Sequence, residues 1–110
     1  MIRVALHRSR VRPGFRGYTV EGHAESAPEG EPDLVCAAVS VLADTTANAL
    51  ERVARIRPVV AESDGSLACF LPPETGEEAW QTAQIILRTM ESGLCDIAAQ
   101  YPRYVRIECE

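Results

Sequence analysis

The sequence predicts an α+β fold: a two-layer, mostly antiparallel five-stranded sheet with two main helices on one face, in the order ββαββαβ. Three patterns predict this class: two pairs of alternating apolar and polar stretches, two longer stretches with apolar residues at steps of three and four, and a short alternating stretch at the end. Hairpins and helices alternate without the rhythm of a parallel doubly wound sheet, so two layers are expected. At 110 residues the chain is expected to form a single domain, residues 1–110.

The first hairpin is predicted near the start of the chain. Residues 2–8 and 15–22 alternate in hydrophobicity, as half-buried strands do, and Pro13-Gly14 marks the turn between them.

The first helix is predicted to begin after Asp33, because Asp is a preferred N-cap and Pro32 fits a transition from loop to helix. It should run to about Arg55 and stop before Pro58. The expected core face comprises Val35, Val39, Leu42, Thr46, Ala49 and Val53. A second stripe, which core packing does not explain, comprises Asp33, Cys36, Ser40 and Asp44.

A second hairpin is predicted over residues 57–72, because Asp64-Gly65 is a strong two-residue turn signal. A second helix should start at Thr75. Its core stripe is expected to comprise Trp80, Ala83, Leu87, Met90 and Leu94.

The end of the chain is predicted to hold one more helical turn and one strand. Gly93 should weaken the second helix, with a further turn at 96–100 and the final strand at 103–109. Cys69 and Cys109 alternate with apolar neighbours and are therefore expected to lie in the core.

Composition excludes several classes of function. All 11 basic residues are Arg, so there is no Lys for a Schiff base or a phosphate-binding P-loop. A net charge of −5 argues against general nucleic-acid binding, and no direct nucleic-acid partner is expected. The apolar runs are too short for a membrane span and the N-terminus lacks a signal-peptide pattern, so a cytoplasmic protein is expected. Residues 1–20 hold five Arg and no acid, which is typical of a solvated surface.

The four cysteines are expected to be free thiols. They form no CxxC pair, and only two histidines accompany them, which argues against a structural zinc site; neither a metal nor a cofactor is expected. Without a secretory signal, disulfides are not expected either.

Cys36 and His23 are the residues that could carry chemistry. Cys36 is the third residue of the predicted helix, where unpaired amides and the helix dipole favour a thiolate, although Asp33 opposes this in part. His23 follows Gly22 at the end of a strand, at the mouth of the loop that leads to Cys36. That placement suits a thiolate–imidazole pair. A buried structural cysteine and a solvated histidine remain the alternative interpretation.

The same residues carry a resemblance. Gly22-His23-Ala24, followed by an acidic loop and then by 33–40 (DLVCAAVS), resembles the two motifs of the ribosomal-processing cysteine protease family. Weaker similarity extends over most of the chain. The loop from His23 to Cys36 is one residue longer than the usual family loop.

The resemblance implies a cysteine endopeptidase that removes the N-terminal extension of a large-subunit ribosomal protein. Cys36 would be the nucleophile and His23 its base, while Gly22, Asp33 and Ser40 would shape the site. Family members are small α+β homodimers with a flexible loop between the catalytic residues, so a homodimer is expected.

The loop over residues 24–32 invites a functional interpretation. Glu25, Glu29 and Glu31 would attract a basic ribosomal substrate, although such charges are often present for solubility alone. The segment has little to bury, so it is expected to be mobile.

Two other interpretations remain open from the sequence. The chain could be a non-catalytic, ribosome-associated binding module whose basic hairpin touches RNA. It could also be a redox-sensing thiol protein, but Cys36 has no resolving cysteine close in sequence.

Overall fold

The computed structural model describes residues 1–110 and contains five strands and two helices. In chain order they are β1 (Ile2–Arg8), β2 (Phe15–Glu21), α1 (Leu34–Arg52), β3 (Val59–Ser63), β4 (Ser66–Phe70), α2 (Glu77–Gln100) and β5 (Val105–Cys109). The predicted ββαββαβ order is confirmed.

The strands form one sheet in the order β3-β4-β2-β1-β5. All neighbours are antiparallel except β1 and β5, which run parallel. Antiparallel neighbours can be joined by short turns, whereas α2 carries the chain across the sheet from β4 to β5. The sheet is therefore mostly antiparallel, as predicted.

The core lies between one face of the sheet and the two helices. The sheet contributes buried side chains from four strands: Ile2, Val4, Leu6, Tyr18, Leu67, Cys69 and Val105. The hydroxyl of Tyr18 donates a 2.7 Å hydrogen bond to the carbonyl of Ala43. This bond ties β2 to the middle of α1 and fixes the helix over the sheet.

Helix α1 begins as predicted but ends sooner, and the predicted core face is correct at Val35, Val39 and Thr46 only. Asp33 is the N-cap and accepts hydrogen bonds from the amides of Val35 and Cys36. The helix ends at Arg52 rather than near Arg55, and its buried residues are Val35, Val39, Ala43, Thr46 and Leu50. Val53, placed in the core from the spacing, is 64% exposed. A step of three from Thr46 leads to Ala49 and a step of four leads to Leu50. Both steps are compatible with a helical core face, so the spacing alone did not distinguish the two residues.

Helix α2 is one continuous helix of 24 residues, with no separate turn at its end. Its buried residues are Trp80, Ala83, Leu87, Met90 and Leu94, the predicted stripe. Gly93 does not interrupt the helix. A Cβ at this position would lie 3.0 Å from Cδ1 of Leu42, so the glycine allows α1 to approach closely.

The last strand begins at Val105, two residues later than predicted, because Tyr104 closes a turn onto the carbonyl of Tyr101. Cys109 pairs with Leu6 at the sheet edge but is exposed, so its predicted burial is wrong. No strand lies beyond β5 to cover it. The predicted burial of Cys69 is confirmed.

Helix α1 is long and apolar enough to cross a membrane by length and composition alone, although the apolar runs of the sequence were predicted to be too short. Its inward residues pack against the sheet, as those of a core helix do.

Candidate active site

One cleft contains both residues singled out for chemistry. It has a volume of about 540 Å³ and lies between α1, the start of β1, the end of β2 and the turn between β3 and β4. Its apolar floor is formed by Ile2, Val20, Val39, Ala43 and Leu67. Its polar wall includes His23, Cys36, Ser40, Asp44, Glu62 and Asp64.

Cys36 lies in the first turn of α1, half-buried at the cleft. Its Sγ accepts a 3.1 Å hydrogen bond from the backbone amide of Ala24. A backbone N–H directed at sulfur is a donor suited to a negatively charged thiolate. The thiol therefore faces the cleft with a polar partner already in place.

Asp33 shapes this turn through its carboxylate. Oδ1 accepts from the amides of Val35 and Cys36, each at 3.0 Å, and from the hydroxyl of Ser26 at 2.6 Å, while Oδ2 accepts from the amide of Ser26 at 2.7 Å. The Ser26 hydroxyl, followed by the Cys36 amide, lowers the pKa of Asp33 from 3.8 to about 2. Both oxygens are committed to these partners, so Asp33 is not placed to orient His23.

His23 is held by its backbone as well as by its ring. The carbonyl of His23 accepts a 2.6 Å hydrogen bond from the Met1 amine. Gly22, just before it, has a φ of +93°, and a Cβ there would collide with the Met1 carbonyl oxygen. Only glycine fits this position without strain.

The imidazole of His23 shares the cleft with Cys36, and no hydrogen bond joins the two side chains in this structure. Nε2 lies 4.0 Å from Oδ1 of Asp64, at the distance of an ion pair. In a free enzyme, catalytic hydrogen bonds are often long and tighten only when substrate binds. The arrangement suits a thiol nucleophile with a nearby base.

Ser40 and Asp44 continue the wall one and two turns along α1 from Cys36. These three residues belong to the stripe that core packing did not explain. The structure places all three in the cleft, so the functional interpretation of this stripe has a geometric basis.

The charged residues of the cleft are not the ones expected from the loop. Glu25, Glu29 and Glu31 are exposed and do not line it. The carboxylates that do are Asp44, Glu62 and Asp64. From the sequence, Asp64 was predicted only as a turn residue, and no role was predicted for Glu62. The only available signal was the Asp64-Gly65 turn itself, which predicts a hairpin but not where its end lies relative to Cys36 and His23.

The loop over residues 24–32, which was expected to be mobile because it has little to bury, is anchored at its start. Ala24 is 2% exposed, and both its amide and that of Ser26 bind side chains of the Cys36 turn. Farther along, Glu31 closes a turn onto Pro28. The mobility of the loop over residues 24–32 stays a prediction.

The other cysteines lie elsewhere. Burial raises the pKa of the Cys69 thiol. Partial burial, followed by neighbouring carboxylates, raises the pKa of Cys95 and Cys109, which lie at the surface near Glu91. Cys36 is therefore the cysteine that lies in the cleft with a histidine. No group of three His, Cys, Asp or Glu side chains is placed to hold a metal ion.

Comparison with known proteins points to the same chemistry. The model of the family described as cysteine protease Prp matches residues 1–106. The essential ribosomal-processing protease Prp of S. aureus, solved with a covalently linked product peptide, is 26% identical over all of both chains, with a TM-score of 0.84. The same protease with a substrate peptide is 24% identical, also over all of both chains, with a TM-score of 0.81. SMU.848 from Streptococcus mutans is 26% identical over 99% of this chain and 93% of the other, with a TM-score of 0.78. No curated protein matches the chain.

Proposed function

Because the chain belongs to the Prp family of cysteine proteases, we propose that it is an endopeptidase that removes the N-terminal extension of a large-subunit ribosomal protein. Cys36 is the nucleophile and His23 is its base. The observation that carries this proposal is the placement of both side chains in one cleft, with the Sγ of Cys36 bonded to the amide next to His23.

The reaction proceeds through an acyl-enzyme. The Cys36 thiolate attacks the scissile carbonyl, and His23, which holds the proton taken from the thiol, gives it to the leaving amine. The N-terminal fragment is then bound to Sγ as a thioester. A water molecule, deprotonated by His23, hydrolyses that thioester and restores the free thiol.

The oxyanion of the tetrahedral intermediate needs a donor. Three of the first amides of α1 are already occupied, since those of Val35, Cys36 and Ala37 all donate to Asp33. The amide of Ala24 is a better candidate. It already donates to Sγ and is released when the sulfur bonds to carbon.

The substrate class is supported by the charge of the cleft and by the neighbours. Three carboxylates line the cleft and three more lie on the adjoining loop, while ribosomal proteins are generally basic. The solved proteases that resemble this chain are described as ribosomal-processing enzymes with bound product or substrate peptides. A basic, extended N-terminal segment fits both facts.

The proposal extends to assembly and location. We propose a cytoplasmic homodimer, in keeping with the family that the motifs resemble. Strand β3 is an edge strand with five exposed residues, including Val59 and Val60, and its unpaired edge offers a surface for a second copy.

Variants at Cys36 test the proposal. Cys36→Ala and Cys36→Ser should abolish cleavage of a peptide that spans the N-terminal junction of the ribosomal precursor, because neither offers a thiolate. Cys95→Ala is the matched control, since it removes an exposed thiol outside the cleft and should keep wild-type turnover. Wild-type turnover by Cys36→Ala would overturn the assignment.

A further inference from the structure

The turn between β3 and β4 touches His23 directly. The imidazole lies against Gly65, where a Cβ would come within 2.8 Å of Nε2 and 3.4 Å of both neighbouring ring carbons. Oδ1 of Asp64, the other central residue of the turn, lies 4.0 Å from the same nitrogen. Two consecutive turn residues therefore contact the ring: Gly65 packs against it, and Asp64 places a carboxylate beside Nε2.

The turn cannot shift independently of His23. The amide of Gly22 donates a 2.8 Å hydrogen bond to the carbonyl of Gly65, and the ladder between β2 and β4 continues from there at Glu21 and Ser66. Any movement of the turn is therefore passed through the backbone to the residue that carries the imidazole.

We propose that Asp64 and Gly65 position the imidazole of His23 so that Nε2 faces the turn and Nδ1 faces Cys36. Asp64 favours the tautomer with the proton on Nε2, which leaves the lone pair of Nδ1 available to the thiol. This inference rests on the proposed roles of Cys36 and His23.

Asp64 is the carboxylate best placed for this role. Asp33 also lies near Cys36, but both of its carboxylate oxygens accept hydrogen bonds from Ser26 and from helix amides. Asp44 and Glu62 also line the cleft, but neither forms an ion pair with His23. Gly65 complements Asp64, because its φ of +72° favours glycine and a Cβ there would push Nε2 of His23 aside.

The expected effects differ in size. The side chain of Asp64 is fully exposed, so its charge is screened and Asp64→Asn should lower kcat by about two- to fivefold, with little change in KM. Asp64→Glu should recover most of the loss. Gly65→Ala pushes the ring aside and should lower kcat on the order of tenfold or more. Asp96→Asn removes an exposed carboxylate outside the cleft and should leave kcat unchanged.

The decisive measurement is the tautomer of His23, read from the ¹⁵N shifts of its ring without any substrate. Wild-type protein should show Nε2–H with an unprotonated Nδ1; Asp64→Asn should shift the population toward the other tautomer, and Asp96→Asn should not. His7, whose ring contacts Thr19 and Glu110, serves as an internal control in the same spectrum. Gly30→Ala, at a φ of +85° with no atom near its Cβ, measures the strain of a left-handed position alone.

A His23 tautomer that is the same in wild type, Asp64→Asn and Gly65→Ala would overturn the inference. A loss of kcat in Asp64→Asn that Asp64→Glu does not recover would also contradict it. Failure of the wild-type protein to cleave any ribosomal precursor would instead count against the proposed function, since the tautomer is measured independently of substrate.

Discussion

The acidic loop offers a quantitative test of substrate attraction. Replacing Glu25, Glu29 and Glu31 by Gln changes the formal net charge from −5 to −2 without altering the residues that line the cleft. All three side chains are exposed, so each acts on the substrate through water.

The size of the effect follows from screening. Two unit charges about 10 Å apart in water interact by about 0.4 kcal/mol before screening. With a Debye length of about 30 Å at 0.01 M salt and about 8 Å at 0.15 M, three such charges acting on one basic residue contribute about 0.9 and about 0.35 kcal/mol. The triple variant should therefore lose about four- to fivefold in kcat/KM at low salt and less than about twofold at 0.15 M salt.

The assay is kcat/KM on the precursor's N-terminal peptide at several salt concentrations. The matched control is the triple variant Glu74→Gln, Asp96→Asn and Glu108→Gln, which changes the net charge equally at exposed positions outside the cleft. It should lose much less activity. Equal losses in the two variants would show that net charge, not the loop, attracts substrate. An unchanged kcat/KM at low salt would show that the loop is only a solvated linker.

Three further predictions concern the thiol, its cap and the loop. Iodoacetamide should label Cys36 much faster than the other three cysteines, as peptide mass spectrometry would show, and equal slow labelling at all four would favour a non-catalytic binding module. Because the folded pKa of Asp33 is about 2 against an ordinary 3.8, its contribution to stability is present above about pH 4 and is lost as the pH falls toward 2. The difference in Tm between wild type and Ser26→Ala should shrink over that interval, and a difference independent of pH would refute the linkage. In hydrogen exchange, residues 27–30 should be the least protected internal segment of the free protein and should gain protection when a peptide binds. The amides of Ala24 and Ser26 already donate hydrogen bonds and should be protected in both states. Strong protection of residues 27–30 without peptide would show that the loop is immobile.

Most of the fold could be predicted from local patterns. The order of elements, the Asp33 cap and the α2 stripe follow from turn chemistry and from apolar steps of three and four, which are properties of short segments. The inward face of α1 was harder, because Ala and Val are abundant on several sides of this helix. Tertiary packing buries Ala43 and Leu50 rather than Ala49 and Val53, and the hydrogen bond from Tyr18 to the Ala43 carbonyl is one of the contacts involved.

Some residues of the candidate site could also be predicted from local patterns, and others could not. Cys36 and His23 carry recognisable motifs and could be found from sequence, as could the stripe that leads to Ser40 and Asp44. The contribution of Asp64 could not, because it depends on strand pairing that brings a residue 41 positions away in sequence beside His23. Likewise, the burial of Ala24 follows from its bond to Cys36 and has no local signature.

The central claim, that Cys36 cleaves a ribosomal-protein precursor, is tested most directly by incubating the full-length precursor of the same organism with the protein and measuring intact masses. Wild-type protein should convert the precursor into two fragments whose masses sum to that of the precursor plus one water, with a single cut near its N-terminus, while Cys36→Ala leaves the precursor whole. A precursor that stays intact with wild-type protein, or that Cys36→Ala cuts at the same bond, would contradict the account.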